Sequence, residues 1–213
     1  MKRRDFSACL AGLGASALVT PLAAQAQTKP LSESEYVRLS QPLSVEKGKI
    51  EVVEFFWYGC PHCFAFEPAL DAWQKNLPAD VAFRRVPVAF RESYTIHQRV
   101  FYAIEAMGKV DELHRKVFQA IHIERKRFDK EDEILEFMGK NGVDTAKFKE
   151  LLSSFTVTTK AKQASRLAEA YKIDGVPALG IHGRFYTSGQ LAGGPDRSLT
   201  VASALIDKVR KGG

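Results

Sequence analysis

The chain has 213 residues, of which 45% are hydrophobic, and a formal net charge of +6 from 31 basic and 25 acidic side chains. This length fits one sizeable domain or a domain with a large insertion, and the composition is that of a globular protein rather than of a membrane bundle or a disordered chain. Because acids are interleaved with the bases, the charge does not require a nucleic-acid partner. The run HIERKRFDKEDE is accordingly predicted to be a solvated helix face or loop.

The first 26 residues have the pattern of a cleaved secretory signal peptide. A charged start precedes a short apolar segment and a small-residue end, and Ala24-Gln25-Ala26 fits the A-x-A cleavage pattern. The apolar segment is shorter than the roughly 20 residues that a membrane-spanning helix needs. We therefore expect export to the periplasm and a mature chain that starts near Gln27.

The next segments predict a strand–helix–strand unit. Residues 27–48 are polar, with Tyr36 and Leu39 expected to anchor part of them. The run KIEVVEFFWY is almost continuously apolar and rich in Val and Phe, which favours a buried strand. A helix is predicted from Pro61 to about Leu77, since proline suits a first helical turn and apolar residues then recur at helical spacing. VAFRRVPVAF reads as the second strand.

The pattern changes to helices after this unit. Four or five helical segments follow one another between about Ser93 and Tyr171, so they form an insertion or a second layer rather than alternating with strands. The last helical segment, KQASRLAEAYKID, leads into PALGIHGRFYTSG, which predicts two short strands joined by a turn at His182-Gly183. DRSLTVASALIDKVRK is predicted to be a terminal amphipathic helix.

The cysteines point to redox chemistry. Cys9 leaves with the predicted signal peptide, so Cys60 and Cys63 are the only thiols of the mature chain in an oxidising compartment. A disulfide across two intervening residues constrains the unfolded chain little, and a structural zinc site needs about four ligands, with no second CxxC or HxxxH pair in the sequence. A metal site that uses His62 with the two cysteines stays open as an alternative.

The predicted helix start distinguishes the two cysteines. Cys60 lies at the helix N-terminus, where free backbone N–H groups and the helix dipole favour thiolate over thiol, whereas Cys63 lies one turn further inside. Cys60 is therefore the predicted nucleophile and Cys63 the resolving thiol. Pro61 starts the helix, and His62 is predicted to stabilise the Cys60 thiolate and to make the disulfide a stronger oxidant.

Two further positions are candidates for the same site. Glu54 lies in the apolar strand, where a carboxylate is costly unless it is paired. It is either an outward-facing residue or a buried acid near Cys63 that helps proton transfer, with Arg84 or Arg85 as its partner. Val176-Pro177 follows a glycine at the start of a strand, and on sequence alone an ordinary trans turn proline is favoured.

Three segments resemble the DsbA family of thiol–disulfide oxidoreductases, which belongs to the thioredoxin superfamily. They are VEFFWYGCPHC, the following FEPAL and, late in the chain, GVPALGIHGRF. The resemblance spans essentially the whole mature chain. It implies an α/β, thioredoxin-like fold with a large inserted all-helical domain. Its expected boundaries are residues 27–92 and 171–213 for the two thioredoxin-like parts and 93–170 for the insertion.

The resemblance also implies roles for these residues. Cys60 exchanges disulfides, Cys63 resolves, and a cis Val176–Pro177 bond packs beside the dithiol, where the Val176 backbone pairs with an extended substrate. Glu54 matches the buried acid of the family, and Arg85 stands where the family usually has lysine. Since arginine does not give up a proton as lysine does, a charge pair is expected there and a proton relay through Arg85 is in doubt.

The sequence therefore predicts a periplasmic dithiol oxidase without a cofactor or metal. It would donate the Cys60–Cys63 disulfide to newly exported proteins with free cysteines. The resemblance further implies reoxidation by a quinone-linked membrane partner similar to DsbB; we expect a monomer and no nucleic acid. The alternatives are a disulfide isomerase or reductase of the same superfamily and a periplasmic metal-binding module.

Overall fold

A five-stranded mixed sheet forms the centre of the computed structural model, which describes residues 30–213. The predicted signal peptide, residues 1–26, lies outside the described residues. The sheet order is β1–β5–β4–β2–β3, in which β2 and β3 are parallel and the other neighbours antiparallel. The strands are β1 (Val37–Arg38), β2 (Ile50–Phe56), β3 (Val81–Pro87), β4 (Ala178–Ile181) and β5 (Phe185–Ser188).

The predicted strand–helix–strand unit consists of β2, helix α1 (Pro61–Gln74) and β3. The central strand β2 is almost entirely buried, as its apolar sequence requires. Pro61 is the first helical residue, and Cys60 has extended dihedral angles as the residue that caps the helix. Helix α1 ends at Gln74, earlier than predicted, because the chain turns at Lys75–Leu77 before Pro78.

Five consecutive helices follow β3, as predicted. They are α2 (Thr95–Ala106), α3 (Val110–His122), α4 (Glu131–Lys140), α5 (Thr145–Ser153) and α6 (Phe155–Ala170). The segment predicted as a separate last helix is the second half of α6, which begins at Phe155 with Ser154 as its cap. The exact limits proposed for the helical insertion and the two flanking parts remain a prediction. None of the helices within residues 30–213 is long and apolar enough to cross a membrane.

The two faces of the sheet are covered by different helices. One core contains Phe55 and Phe56 of β2 together with the helical block, including Phe101 and Phe118. The second core contains Val52 and residues of α1 and of the terminal helix α8 (Pro195–Arg210). Tyr36 and Leu39 are buried, so they anchor the segment before β2 as expected. Residues 31–213 form one compact unit.

The turn between β4 and β5 is the one predicted from the sequence. His182 and Gly183 both have positive φ angles, 50° and 64°, which suits a two-residue hairpin turn. The backbone N–H of Gly183 donates to the Tyr171 hydroxyl at 2.8 Å. A Cβ at position 183 would lie 2.6 Å from the Leu43 carbonyl oxygen, so the glycine is required by close packing as well as by its backbone angle. After β5, a short helix α7 (Gly189–Ala192), not predicted, leads into α8.

The glycine at this turn yields a stability prediction. Gly183→Ala should destabilise the protein by about 2–4 kcal/mol, because it adds a clash with rigid backbone to the cost of a positive φ. Gly108→Ala is the matched control, since Gly108 has a φ of 67° but no atom within 4 Å of a new Cβ. Its cost should be only about 1 kcal/mol. Urea unfolding would measure both, and equal losses would contradict the packing argument.

Candidate active site

The two cysteines occupy the start of α1 as free thiols. The Cys60 sulfur caps the helix by accepting the backbone N–H of Cys63 at 3.4 Å. Cys60 is 7% exposed and Cys63 is fully buried. An attacking group therefore reaches Cys60 and not Cys63, which is the asymmetry that the sequence predicted.

The environment gives the two thiols opposite acidities. The pKa of Cys60 is lowered to about 6, first by the hydrogen bond from the Cys63 thiol and then by the backbone N–H groups of Cys63 and His62, while burial opposes the shift. Burial raises the pKa of Cys63 well above its ordinary value, and the neighbouring Cys60 adds to this. At neutral pH the pair thus consists of one thiolate and one thiol, which is the division that a nucleophile and a resolving cysteine need.

His62 acts on Cys60 less than its neighbour Cys63 does. Its backbone N–H and its charge both lower the pKa of Cys60, but they come after the Cys63 thiol in size. The His62 side chain is exposed and lines a cavity of about 490 Å³ beside α1. The role predicted for His62 is compatible with this position, but its contribution to the low pKa of Cys60 is smaller than that of the Cys63 thiol.

Val176 and Pro177 lie directly beside Cys60. The Val176–Pro177 peptide bond is cis, as the family resemblance implied and contrary to the preference from sequence alone. The Cys60 sulfur lies 3.4 Å from the Val176 carbonyl oxygen, to which it donates a hydrogen bond only when it is protonated. Both residues also line the 490 Å³ cavity, together with Ala65, Leu191 and Pro195. This mainly apolar cavity therefore lies beside Cys60.

Glu54 is buried and pairs with Arg85, not with Arg84. In the parallel register of β2 and β3, Glu54 lies opposite Arg85, and Arg85 Nε is 3.1 Å from Glu54 Oε2. Arg84 pairs instead with Glu51 on the exposed side. Burial raises the pKa of Glu54 well above its ordinary range, and the negative charge of Glu67 raises it further, while Arg85 opposes both. Burial therefore favours the protonated form of Glu54.

Sequence reasoning missed the acids that share Arg85. The guanidinium lies 3.4 Å from Glu67 Oε2 and 2.8 Å from Asp71 Oδ1, both on α1. The missed signal was the helical spacing of Cys63, Glu67 and Leu70, which places Glu67 on the buried face of α1. Glu67 in turn faces His114 of α3, whose other ring nitrogen contacts the Tyr58 hydroxyl. None of Glu67, Asp71, His114 and Tyr58 was a candidate on the sequence.

A reactive cysteine at the start of a helix, with a shielded partner one turn inside and a cis-proline beside it, defines a thiol–disulfide oxidoreductase of the thioredoxin superfamily. A family model described as a DSBA-like thioredoxin domain matches residues 85–205, a range that begins after the two cysteines. The thiol:disulfide interchange protein DsbA of Pseudomonas aeruginosa is 42% identical over 202 residues, covering 94% of this chain and 95% of the relative. That of Bordetella pertussis is 44% identical over 215 residues, covering 99% and 100%. The chain belongs to the DsbA family.

Solved structures agree with this assignment. The crystal structure of Pseudomonas aeruginosa DsbA matches with a TM-score of 0.81 at 43% identity, covering 84% of this chain and 93% of that chain. The crystal structure of oxidoreductase DsbA from Xylella fastidiosa matches with a TM-score of 0.78 at 28% identity, covering 85% and 98%. The protein is thus a DsbA-type thiol:disulfide oxidoreductase with a thioredoxin fold that carries an inserted helical block.

The origin of the low Cys60 pKa can be tested with a pair of variants. Cys63→Ala removes the thiol donor and should raise the pKa of Cys60 by about one to two units, whereas Cys63→Ser keeps a hydroxyl donor and should raise it less. Thiolate absorbance would be titrated in a chain that starts at Gln27, so that Cys60 is the only thiol. Equal pKa values in the two variants would contradict the assignment of the Cys63 side chain as the main cause.

Proposed function

We propose that the protein oxidises cysteine pairs in newly exported proteins in the periplasm by donating its Cys60–Cys63 disulfide. The observation that carries the proposal is the Cys60 sulfur at the start of α1, with its pKa lowered to about 6. A stabilised thiolate is a good leaving group and makes the dithiol form of the protein favourable, so the disulfide form is a ready oxidant. Location in the periplasm rests on the predicted signal peptide.

The reaction would proceed by two exchanges. A client thiolate attacks Cys60 Sγ, the Cys60–Cys63 bond breaks, and Cys63 leaves and takes up a proton. The second client thiolate then attacks the client sulfur of the mixed disulfide and releases Cys60 as a thiolate. The client loses two electrons and gains a disulfide, and the protein gains the two electrons as its dithiol. Glu54, whose pKa is raised by burial, would supply the proton to Cys63 and accept it again during reoxidation.

Client binding would combine main-chain pairing with apolar contacts. An extended client segment would pair with the backbone of Val176 beside Cys60. The adjoining cavity, lined by His62, Val176, Pro177 and Leu191 among others, would accept apolar side chains of that segment. Such contacts use groups that every unfolded chain carries, which suits an oxidase that acts on many clients.

The cycle needs an external oxidant because the dithiol does not regenerate its own disulfide. We assign this step to a DsbB-like, quinone-linked membrane oxidase, which would accept the two electrons through a disulfide of its own. All of the steps proposed for this chain use sulfur chemistry alone, so we propose no cofactor or metal. We also propose that the protein acts as a monomer and does not bind nucleic acid.

The alternative functions have less support. An isomerase of this superfamily usually has a separate dimerisation domain, whereas the described residues before β2 form only β1 and one turn of 3-10 helix against the sheet. For the metal-binding module, residues 30–213 contain no group of three or more His, Cys, Asp or Glu side chains placed to hold an ion. Neither reading has an observation that favours it over the oxidase.

The exchange mechanism predicts trapped intermediates. Cys63→Ser should accumulate mixed disulfides between Cys60 and exported proteins, visible as bands that collapse on reduction, because the return attack of Cys63 on Cys60 is lost and only a second client thiolate can release the client. A Cys60→Ser variant should trap none. Insulin reduction and the redox equilibrium with glutathione would complete the test. A dithiol as reducing as thioredoxin would overturn the oxidase assignment, and refolding of scrambled substrates by the monomer would favour an isomerase.

The smaller contribution of His62 to the low pKa of Cys60 is also testable. His62→Leu removes the imidazole but keeps the backbone N–H, so it should raise the pKa of Cys60 by less than Cys63→Ala does, and it should weaken the oxidising power relative to the native protein. The thiolate titration would be measured on both variants, and the glutathione equilibrium on His62→Leu and the native protein, which keep both cysteines. An unchanged pKa and an unchanged equilibrium in His62→Leu would show that this side chain has no role in the poise.

A further inference from the structure

His114 is a buried histidine that the proposed exchange mechanism leaves unused. It lies on α3, in the helical block, and is 3% exposed. Rings from three elements enclose its imidazole: Phe56 of β2, Phe101 of α2 and Phe118 of α3, with centroid distances of 5.0, 5.8 and 5.2 Å. This packing fixes the ring and leaves its two nitrogens directed at only two neighbours.

The two contacts of the ring determine its tautomer. Nδ1 is 2.9 Å from the Tyr58 hydroxyl, and Nε2 is 3.3 Å from Glu67 Oε1. Because a carboxylate only accepts, Nε2 carries the proton toward Glu67 and Nδ1 accepts from the Tyr58 hydroxyl. The Nε2–Oε1 contact does not have the geometry of a hydrogen bond, yet neither atom has another partner within the described residues. Each buried atom therefore depends on the other for compensation of its lost hydration.

These contacts connect α3 to both sides of the cysteine pair. Tyr58 lies two residues before Cys60, and Glu67 lies four residues after Cys63 on α1. From Glu67 the chain of close contacts continues to Arg85 at 3.4 Å and from Arg85 to Glu54 at 3.1 Å. His114 is thus joined through two intermediates to the buried acid next to Cys63.

Each charge along this path affects the pKa of the next group. Burial works to raise the pKa of Glu67, but the contact with His114 and the positive charge of Arg85 outweigh it, and the pKa lies below its ordinary value. The resulting negative charge of Glu67 is one cause of the raised pKa of Glu54. The groups that face His114 are Tyr58, Glu67 and Asp71, with Arg85 behind them. Burial lowers the pKa of His114, which favours the neutral ring.

We propose that His114 is a positioning residue that keeps the Glu67 carboxylate charged and thereby sets the pH at which Glu54 takes the proton from Cys63. The proposal rests on the proton-transfer role given to Glu54 in the proposed function. Without the His114 contact, Glu67 would bind a proton at higher pH. Its negative charge would no longer hold the proton on Glu54, and Glu54 would become a competent base at lower pH.

The step to measure is closure of the disulfide in the reduced protein. Cys60 attacks an aromatic disulfide and releases one coloured thiolate in a first phase. In a second phase Cys63 loses its proton to Glu54 and attacks Cys60 Sγ, which forms the Cys60–Cys63 bond and releases the second thiolate. The reagent gains the two electrons that the dithiol loses. Stopped-flow measurement of the second phase against pH gives the midpoint at which Glu54 becomes available as a base.

His114→Phe should shift this midpoint to lower pH by about one unit, the size expected when a nearby like charge is removed. Glu67→Gln, which removes the charge without changing the shape, should give the same shift. Because His114 acts through Glu67, adding His114→Phe to Glu67→Gln should cause no further shift. His114→Gln retains an N–H donor and should restore a midpoint close to that of the native protein.

The matched control is Glu112→Gln, which removes an exposed acid of α3 that pairs with Lys109 and should leave the midpoint unchanged. A purely structural role for His114 would lower stability without moving the midpoint, and that result, or a further shift in the double variant, would overturn the proposal. Should His114→Phe fail to fold, the isosteric Glu67→Gln decides: an unmoved midpoint there equally overturns it. If the native protein did not release the two coloured thiolates in two phases, that result would instead contradict the proposed function itself.

Discussion

The capping of α1 by the Cys60 sulfur is the interaction on which the rest of the site depends. It requires β2 to end at Phe56, so that a short loop can deliver Cys60 to the helix start in an extended conformation. The loop is tight: a Cβ on Gly59 would lie 2.3 Å from the Trp57 ring. Once the sulfur occupies the cap, the Cys63 N–H and thiol point at it, and Val176 closes its other side. The reactivity of Cys60 therefore depends on the position at which α1 begins.

A second constraint lies beside α1, where the guanidinium of Arg85 lies close to three carboxylates. Arg85 is within ion-pair distance of Glu54, Glu67 and Asp71 and is only 10% exposed. Burying charges in this way is costly and seldom contributes net stability, so its presence in a core made otherwise of Val, Leu and Phe calls for a reason beyond folding. One positive charge does not balance three negative ones, and Glu54 and Glu67 are both buried. The raised pKa of Glu54 favours its uncharged form, which reduces the imbalance.

The features predicted correctly from the sequence are those that depend on residues close together along the chain. The strand before Cys60, the proline at the helix start and the His182-Gly183 turn each follow from local pattern, and the helical block from its periodicity. The two-residue strand β1 has no pattern to detect, and α1 ended early because a turn before Pro78 competed with the helix. The cis form of Val176–Pro177 is a minority state on local preference and was expected only from the family resemblance. The contact of Glu67 with His114 joins residues far apart in the sequence, so local pattern could not reveal it.

The helical block belongs to the active site as much as the sheet does. His122 of α3 contacts the Tyr58 carbonyl oxygen at 2.8 Å and stacks on Phe64 with ring centroids 5.0 Å apart, so it touches both flanks of the cysteine pair. His114, about two turns before His122 in α3, contacts the same two flanks through Tyr58 and Glu67. Phe56 packs against Phe101 and Phe118 in the hydrophobic core that also contains Cys60 and Cys63. Helices α2 and α3 thus contribute to the apolar surroundings of the cysteine pair. Because burial is the first cause of the raised pKa of Cys63, the helical block helps to separate the acidities of the two thiols.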